Sequence, residues 1–476
     1  MFDALFTTTT EYKKLSHALS GKGACALFGL PASGRAQVYA ALCRQLDKPL
    51  CIVTPGEAEA TRFAADLNTL GIPAAVFPAR DYVLRPIEGT AREYEYRRLA
   101  VLGELVGGRL RAVAVPAEAL TQFTTPKEDF CANTRTLHAG DTLLRDDLLA
   151  ALFGAGYTRR AQVDGPGQFS VRGDIVDIFA PDQKMPVRME FWGDEIDTLH
   201  TFDLTTQRRE DAIDKFYLSP AREVLFGKPA DAAEQLRAFL AKQRGKKKTV
   251  MADCMAADLD LLDGGAVPVN MDKYLAVRYP HPATVLDYFD DPILVAEEPA
   301  SIREADRATA YRRGEELKSL ILDGVLCAGL DNLYADPSYL WSKTGHYRTI
   351  CAENFARSMP DQPLKDIINT PAHTLPAWNG EVAGLLEDLK PLCDAGYTVT
   401  LLAGTDRAAA GLARDLRDKG ILVTTDAAAA PAAGLVQVLA GHLSAGCEFP
   451  FAKYALLTGR AFGETSSQKK KRKKAK

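Results

Sequence analysis

The chain lacks the features that would staple it or anchor it. Its nine cysteines stand singly, at positions 25, 43, 51, 131, 254, 327, 351, 393 and 447. There is no C-x-x-C pair and no H-E-x-x-H, and the seven histidines are dispersed. The spacings that hold structural or catalytic zinc are therefore missing, and no metal is expected. Scattered thiols in a long chain fit a reducing, cytoplasmic setting where cysteine serves as a small core residue. No apolar run approaches the ~20 residues of a membrane-spanning helix. The opening MFDALFTTTTEYKKL lacks the basic-then-apolar order of a secretory leader.

A surplus of positive charge is also absent. Lys and Arg total 58 against 62 Asp and Glu, a formal net charge of −4. Seven of the last eight residues (KKKRKKAK, 469–476) are basic, so removing them takes the body from −4 to −11. An acidic body argues against a broad nucleic-acid surface. Residues 464–476 read as a solvated linker, with contact to nucleic acid as the alternative.

At 476 residues the chain exceeds one ordinary core. Residues 1–130 alternate apolar runs (ACALFGL, PLCIVTP, AAVFP, RAVAVP) with helical stretches, the pattern of a parallel α/β sheet. Over 131–215, a helix (LRDDLLAALFGAG) precedes GQFSVRGDIVDIFAP and PVRMEFWGDEIDTLHTFD. These alternate polar and apolar residues around turns at RGD and WGDE, so an inserted α+β domain with an antiparallel sheet is expected. Residues 216–350 return to α/β character, with KKKTVMADC and DPILVAEEP as strands and DRATAYRRGEELKSLI as a helix. The Pro-rich stretch 359–378 reads as a boundary. Residues 360–463 read as a small separate α/β domain.

Two motifs carry chemistry. GLPASGRA (29–36) has the glycine spacing of a phosphate-binding loop at Gly29 and Gly34, whose backbone donors would face phosphate. Arg35 and Ala36 replace the Lys and the Ser or Thr. Arginine is a planar fork where a compact ammonium belongs, and alanine cannot ligate magnesium. ILVAEEP places Glu297 at the metal-binding position of the partner strand and Glu298 at the water-activating one. The pair of motifs reads as a nucleotide site that keeps its fold without its chemistry. The second motif is VRMEFW. Val187, Met189 and Phe191 point to a core, while Arg188, Glu190 and Trp192 point the other way. Arg172 sits on the neighbouring strand. A Trp/Arg/Arg group on an open sheet face has the make-up of a protein-binding hot spot. The competing reading is a helix covering Trp192. The helix REYEYRRLAVLGEL (92–105) reads as a core stripe at 99, 102, 105 and 106 with a solvated opposite face.

GPGQFSVRGDIVDIFAP…PVRMEFWGDEIDTLHTFDLTTQR resembles the inserted domain shared by the excision-repair protein UvrB and the bacterial transcription-repair coupling factors. The flanking order (degenerate loop, FPARDYVLRPIEG…RRL, insertion, return segment, LLTGRAFG) matches as well, so the resemblance spans essentially the whole chain. It implies a RecA-like domain split by the insertion and followed by the third domain. It also implies that the insertion docks UvrA, with Arg172, Arg188 and the aromatic at Trp192 in the contact positions, where many relatives carry Phe at the last. FPARDYVLRPIEG is too short for the Tyr-rich hairpin that UvrB threads into DNA. Coupling factors add a polymerase-binding domain and ATP-driven motor domains that act on DNA, and none follows Lys476. The resemblance therefore implies a fragment or a shortened relative. Its partners would be UvrA and, in a full-length protein, the motor half, RNA polymerase and DNA. ATP and Mg²⁺ would belong to the motor domains, and this chain would be a non-enzymatic scaffold. The alternative is a UvrB-type ATP-dependent enzyme acting on DNA.

Overall fold

The computed structural model describes residues 7–87, 92–356, 362–378, 382–430 and 432–459. The basic tail, the last two residues of FPARDYVLRPIEG and the end of LLTGRAFG lie outside them.

Seven strands make the first sheet, in the spatial order Leu364–Asn369, Gly23–Phe28, Arg348–Glu353, Ile293–Glu297, Leu50–Thr54, Ala112–Pro116, Ala74–Val76. Every neighbouring pair is parallel. The central runs ACALF, LCIVT and ILVA are apolar throughout because helices bury both sides of a parallel sheet. Helices Ala32–Leu46 and Glu57–Thr69 close one side around Val38, Leu42 and Phe63. Helices Glu93–Val106 and Pro299–Leu322 close the other through Leu99, Leu102 and Ile302. The chain leaves this sheet after Pro116 and re-enters it at Ile293.

Between those points lies a six-stranded sheet, in the order Arg209–Ala212, Glu195–Phe202, Val187–Trp192, Ile175–Phe179, Gln168–Arg172, Thr158–Arg159. It is antiparallel except that Thr158–Arg159 runs parallel to its neighbour. Its two tight hairpins have Gly-Asp tips, with Gly173 at φ +61° and Gly193 at φ +63°. Glycine first in a two-residue tip supplies the positive φ that lets twisted strands reverse. Helix Arg145–Gly154 places Leu148 and Leu152 on the inner face against Phe169, Val176, Met189 and Phe191. A ribbon of Arg135–His138 with Lys215–Leu218 closes the base.

Three expectations need correction. KKKTVMADC is not a strand: it opens the helix Gly245–Asp263, whose Met251, Met255 and Leu262 are buried. Steps of four and seven residues are helical, and the short apolar stretch hid that period. The Pro-rich stretch is not wholly a boundary. Leu364–Asn369 is an edge strand of the first sheet, a position that tolerates flanking prolines. Nor is the third unit separate. Its sheet (order His373–Leu375, Gly446–Phe449, Tyr454–Thr458, Thr398–Leu402, Val436–Leu439, Val423–Thr424) sends Leu443, Cys447, Phe449 and Tyr454 into the same core as Val38 and Leu42. Helix Ala32–Leu46 is buried without a break from Ser33 to Cys43. A helix buried all round needs cover on both sides, and the third unit supplies the second side.

Candidate functional site

The degenerate loop is shorter than its motif suggests. Pro31 caps the helix that starts at Ala32, so Gly34 is a helical residue and not a loop donor, which corrects its expected place. Gly29 keeps a positive φ of 85° at the turn. A Cβ at Gly29 would lie 2.9 Å from Asn369 Oδ1, and one at Gly34 would lie 2.9 Å from Cys447 Sγ and 3.4 Å from the Phe449 ring. Thr370 N donates to Phe28 O at 2.9 Å and Ala372 N to Gly29 O at 3.0 Å. Protein therefore packs against both glycines.

The structure brings Arg35, Glu297 and Glu298 together. Arg35 Nε lies 3.1 Å from Glu297 Oε2, and Nη1 donates to Glu298 Oε1 at 2.9 Å. Tyr39 Oη donates to Glu297 Oε1 at 2.5 Å, and Asn354 N to Glu298 Oε1 at 3.2 Å. Burial raises the Glu297 carboxyl above its usual range even though Arg35 opposes it. The guanidinium thus spends its charge on the two carboxylates that the sequence placed at the metal and water positions.

The outer face of the inserted sheet is organised in rows, since directly opposed residues share a face. Trp192 faces Glu195 at one end. Next come Arg172, Ile175, Glu190 and Thr198, then Asp177, Arg188 and His200. Trp192 is 81% exposed, so no helix covers it. Arg172 is exposed too, with Nη2 donating to Ala161 O at 3.4 Å. Glu190 is ion-paired with Arg209 on the edge strand.

Arg188 differs from the open cation expected. Its Nε and Nη2 donate to the two oxygens of buried Asp177 at 2.7 and 2.9 Å, and Nη1 donates to Gln207 O at 3.2 Å. Its guanidinium sits 4.8 Å from the centre of the Phe202 ring. The turn around Gln207 folds back over this row, so the face is open at Trp192 and Arg172 and closed over Arg188.

Residues 136–224, which include this whole sheet, match the family model described as the UvrB interaction domain. The chain is 26% identical over 459 residues to a transcription-repair-coupling factor of Bacillus subtilis (strain 168), covering 94% of this chain and 39% of that protein. A transcription-repair-coupling factor of Staphylococcus haemolyticus (strain JCSC1435) is 26% identical over 461 residues, with the same coverage. One from Staphylococcus aureus (strain MRSA252) is 24% identical over 457 residues. The chain carries a UvrB interaction domain and resembles the N-terminal part of transcription-repair-coupling factors. It spans about two fifths of the length of these relatives.

Within the UvrB interaction domain, sequence reasoning missed Asp177, the residue that fixes Arg188. Asp177 pairs with Arg188 across the strands, but nothing local says that a turn ~30 residues later, around Gln207, covers the pair. Sequence reasoning also missed a buried charge network that joins the end of this domain to the rest of the chain. Arg98 donates to Glu223 Oε1 at 2.6 Å and to Gln122 Oε1 at 3.0 Å. Arg80 binds both oxygens of Asp272 at 2.7 and 3.2 Å. Glu95 and Arg98 are buried on the same helix face as Leu99 and Leu102, so the stripe that read as an apolar core also carries two charges. Among the described residues, no cluster of His, Cys, Asp and Glu could hold a metal, and no helix is long and apolar enough to cross a membrane. All nine cysteines are free thiols.

Proposed function

We propose that this chain is the UvrB-like, non-motor module of a transcription-repair-coupling factor, built as a RecA-like domain split by an inserted domain. Its activity is binding. The inserted domain docks UvrA and so recruits excision repair to RNA polymerase stalled at DNA damage. The observation that carries this reading is an indole 81% exposed on the same sheet face as an exposed arginine, within the segment that matches the UvrB interaction domain. Solvent-facing tryptophan beside arginine is the composition of an interface centre. Trp192 and Arg172 serve as anchors. Arg188, held by Asp177, shapes the floor beneath them and offers its remaining surface to the partner. The motor half, RNA polymerase and DNA are partners of the longer protein, as are ATP and Mg²⁺ in its motor domains.

The degenerate loop is a structural element in this reading. Arg35 neutralises Glu297 and Glu298, and the third unit packs on the helix that would have faced phosphate. The rival is a UvrB-type ATPase, which requires Mg-ATP to enter that pocket. Capture of UvrA by the immobilised chain, compared with its Trp192→Ala variant, tests the binding role. Micromolar binding of Mg-ATP would favour the rival.

A further inference from the structure

A cavity of about 550 Å³ lies where the inserted domain meets the parallel-sheet body. Arg92, Arg159, Arg160 and Arg222 line it, and among the described residues Asp272 is the one carboxylate in its wall. Asp272 is already engaged by both nitrogens of Arg80 and by Val83 N. Arg92 is paired with Glu95 at 2.8 Å, so the positive charge open to the cleft comes from Arg159, Arg160 and Arg222. Arg222 is the central group. Its Nη1 donates to Tyr96 Oη at 3.2 Å and more weakly to Ala221 O at 3.4 Å, and among the described residues its leading opposing charge, buried Glu95, acts on it from beyond ion-pair distance. Two positive-φ glycines let this pair lie flat against the inserted domain. A Cβ at Gly156 would fall 2.7 Å from Arg222 Cγ, and one at Gly167 would fall 2.9 Å from Tyr96 Oη. The mouth is apolar: Ile87, Phe153, Val267 and Val269 are all exposed at it.

We propose that this cleft binds a peptide segment of a partner protein in which acidic residues alternate with bulky apolar ones. A carboxylate would seat on Arg222 with Arg159 and Arg160 at its entrance, and neighbouring apolar side chains would cover the mouth. Guanidinium forks suit carboxylate and phosphate alike, so the rim decides the class. A phosphodiester strand would leave four apolar side chains wet, and the available rings are not free to stack on bases. Tyr96 is tied to Arg222, and Phe153 packs edge-on against Phe169 at 5.2 Å. An acidic body also repels a long polyanion more than a short peptide. A cleft of this volume lies in the usual range for a specific pocket, and exposed apolar patches mark protein contacts.

The test is fluorescence anisotropy of the full chain with a labelled octapeptide alternating Glu with Leu and Phe, and with a labelled single-stranded oligonucleotide. Saturable peptide binding is expected, weakened about tenfold in Arg159→Ala/Arg160→Ala, as the loss of charge-assisted contacts implies. Val267→Ser should weaken it as well. These side chains are exposed, so the variants fold. Absence of saturable peptide binding, affinity unchanged in both variants, or tighter binding of the oligonucleotide overturns the proposal. None of these outcomes depends on UvrA capture.

Discussion

Arg188 and Asp177 form a two-point ion pair across adjacent strands, at 2.7 and 2.9 Å, under a turn that keeps the carboxylate from water. Removing the arginine leaves a buried charge without a partner, which costs more than the pair itself contributes. Arg188→Ala should lower unfolding free energy by about 2–3 kcal/mol, less than for a wholly buried pair because Arg188 is partly exposed. The double variant Arg188→Ala/Asp177→Ala should recover part of that loss. Urea denaturation of the three variants checks both statements. Loss of UvrA binding in Arg188→Ala alone therefore mixes fold damage with contact loss.

Glu95 predicts an acid limb in stability. Burial pushes its carboxyl up, but Arg80, Arg222 and Arg92 outweigh burial and hold it at about 2, below its ordinary 4.5. A depressed folded value means that the unfolded state binds the proton more tightly. Stability from Glu95 is thus complete above pH ~4.5 and drains away as pH falls toward ~2. Glu95→Gln should lose on the order of 3 kcal/mol at pH 7, and the difference should shrink below pH ~4.5 and close only at about pH 2 or below. Denaturation midpoints across pH give the answer.

Restoring the phosphate-loop spelling should not restore the site. Arg35→Lys/Ala36→Ser rebuilds the Lys-Ser pair, but Asn369 and Thr370 still crowd Gly29, and Cys447 still crowds Gly34. Isothermal titration with Mg-ATP should show no binding by this variant.

Gly34 also reports on the seat of the third unit. Gly34→Ala puts a methyl group 2.9 Å from Cys447 Sγ. Overpacking of this kind costs about 1–3 kcal/mol. Adding Cys447→Ala removes the obstructing sulfur and should return most of the loss, measured by thermal unfolding. A third unit that packed elsewhere would make Gly34→Ala silent.

Much of the architecture was legible because it rests on local pattern. Apolar runs marked the parallel strands, and Gly-Asp tips at Gly173 and Gly193 marked both hairpins. Alternation in VRMEFW placed Arg188 and Trp192 on one face. It could not say which part of that face stays open, because the cover over Arg188 comes from the turn around Gln207. The third unit's attachment was hidden for the same reason. Cys447 and Gly34 meet across some four hundred residues (~400), and no local spacing encodes that. One hint existed: RAQVYAALC has few polar positions for a helix with only one covered side. The charge network of Arg80, Arg98, Glu223 and Asp272 left no trace, since each charge alone resembles a solvated one.

The central claim is tested most directly by titrating UvrA against the parent chain and against Arg172→Ala/Trp192→Ala. Both side chains are exposed, so the thermal transition should move by no more than about 2 °C. Affinity should fall by about thirtyfold or more, the loss of at least one interface anchor. A folded double variant that binds UvrA as tightly as the parent would contradict the account.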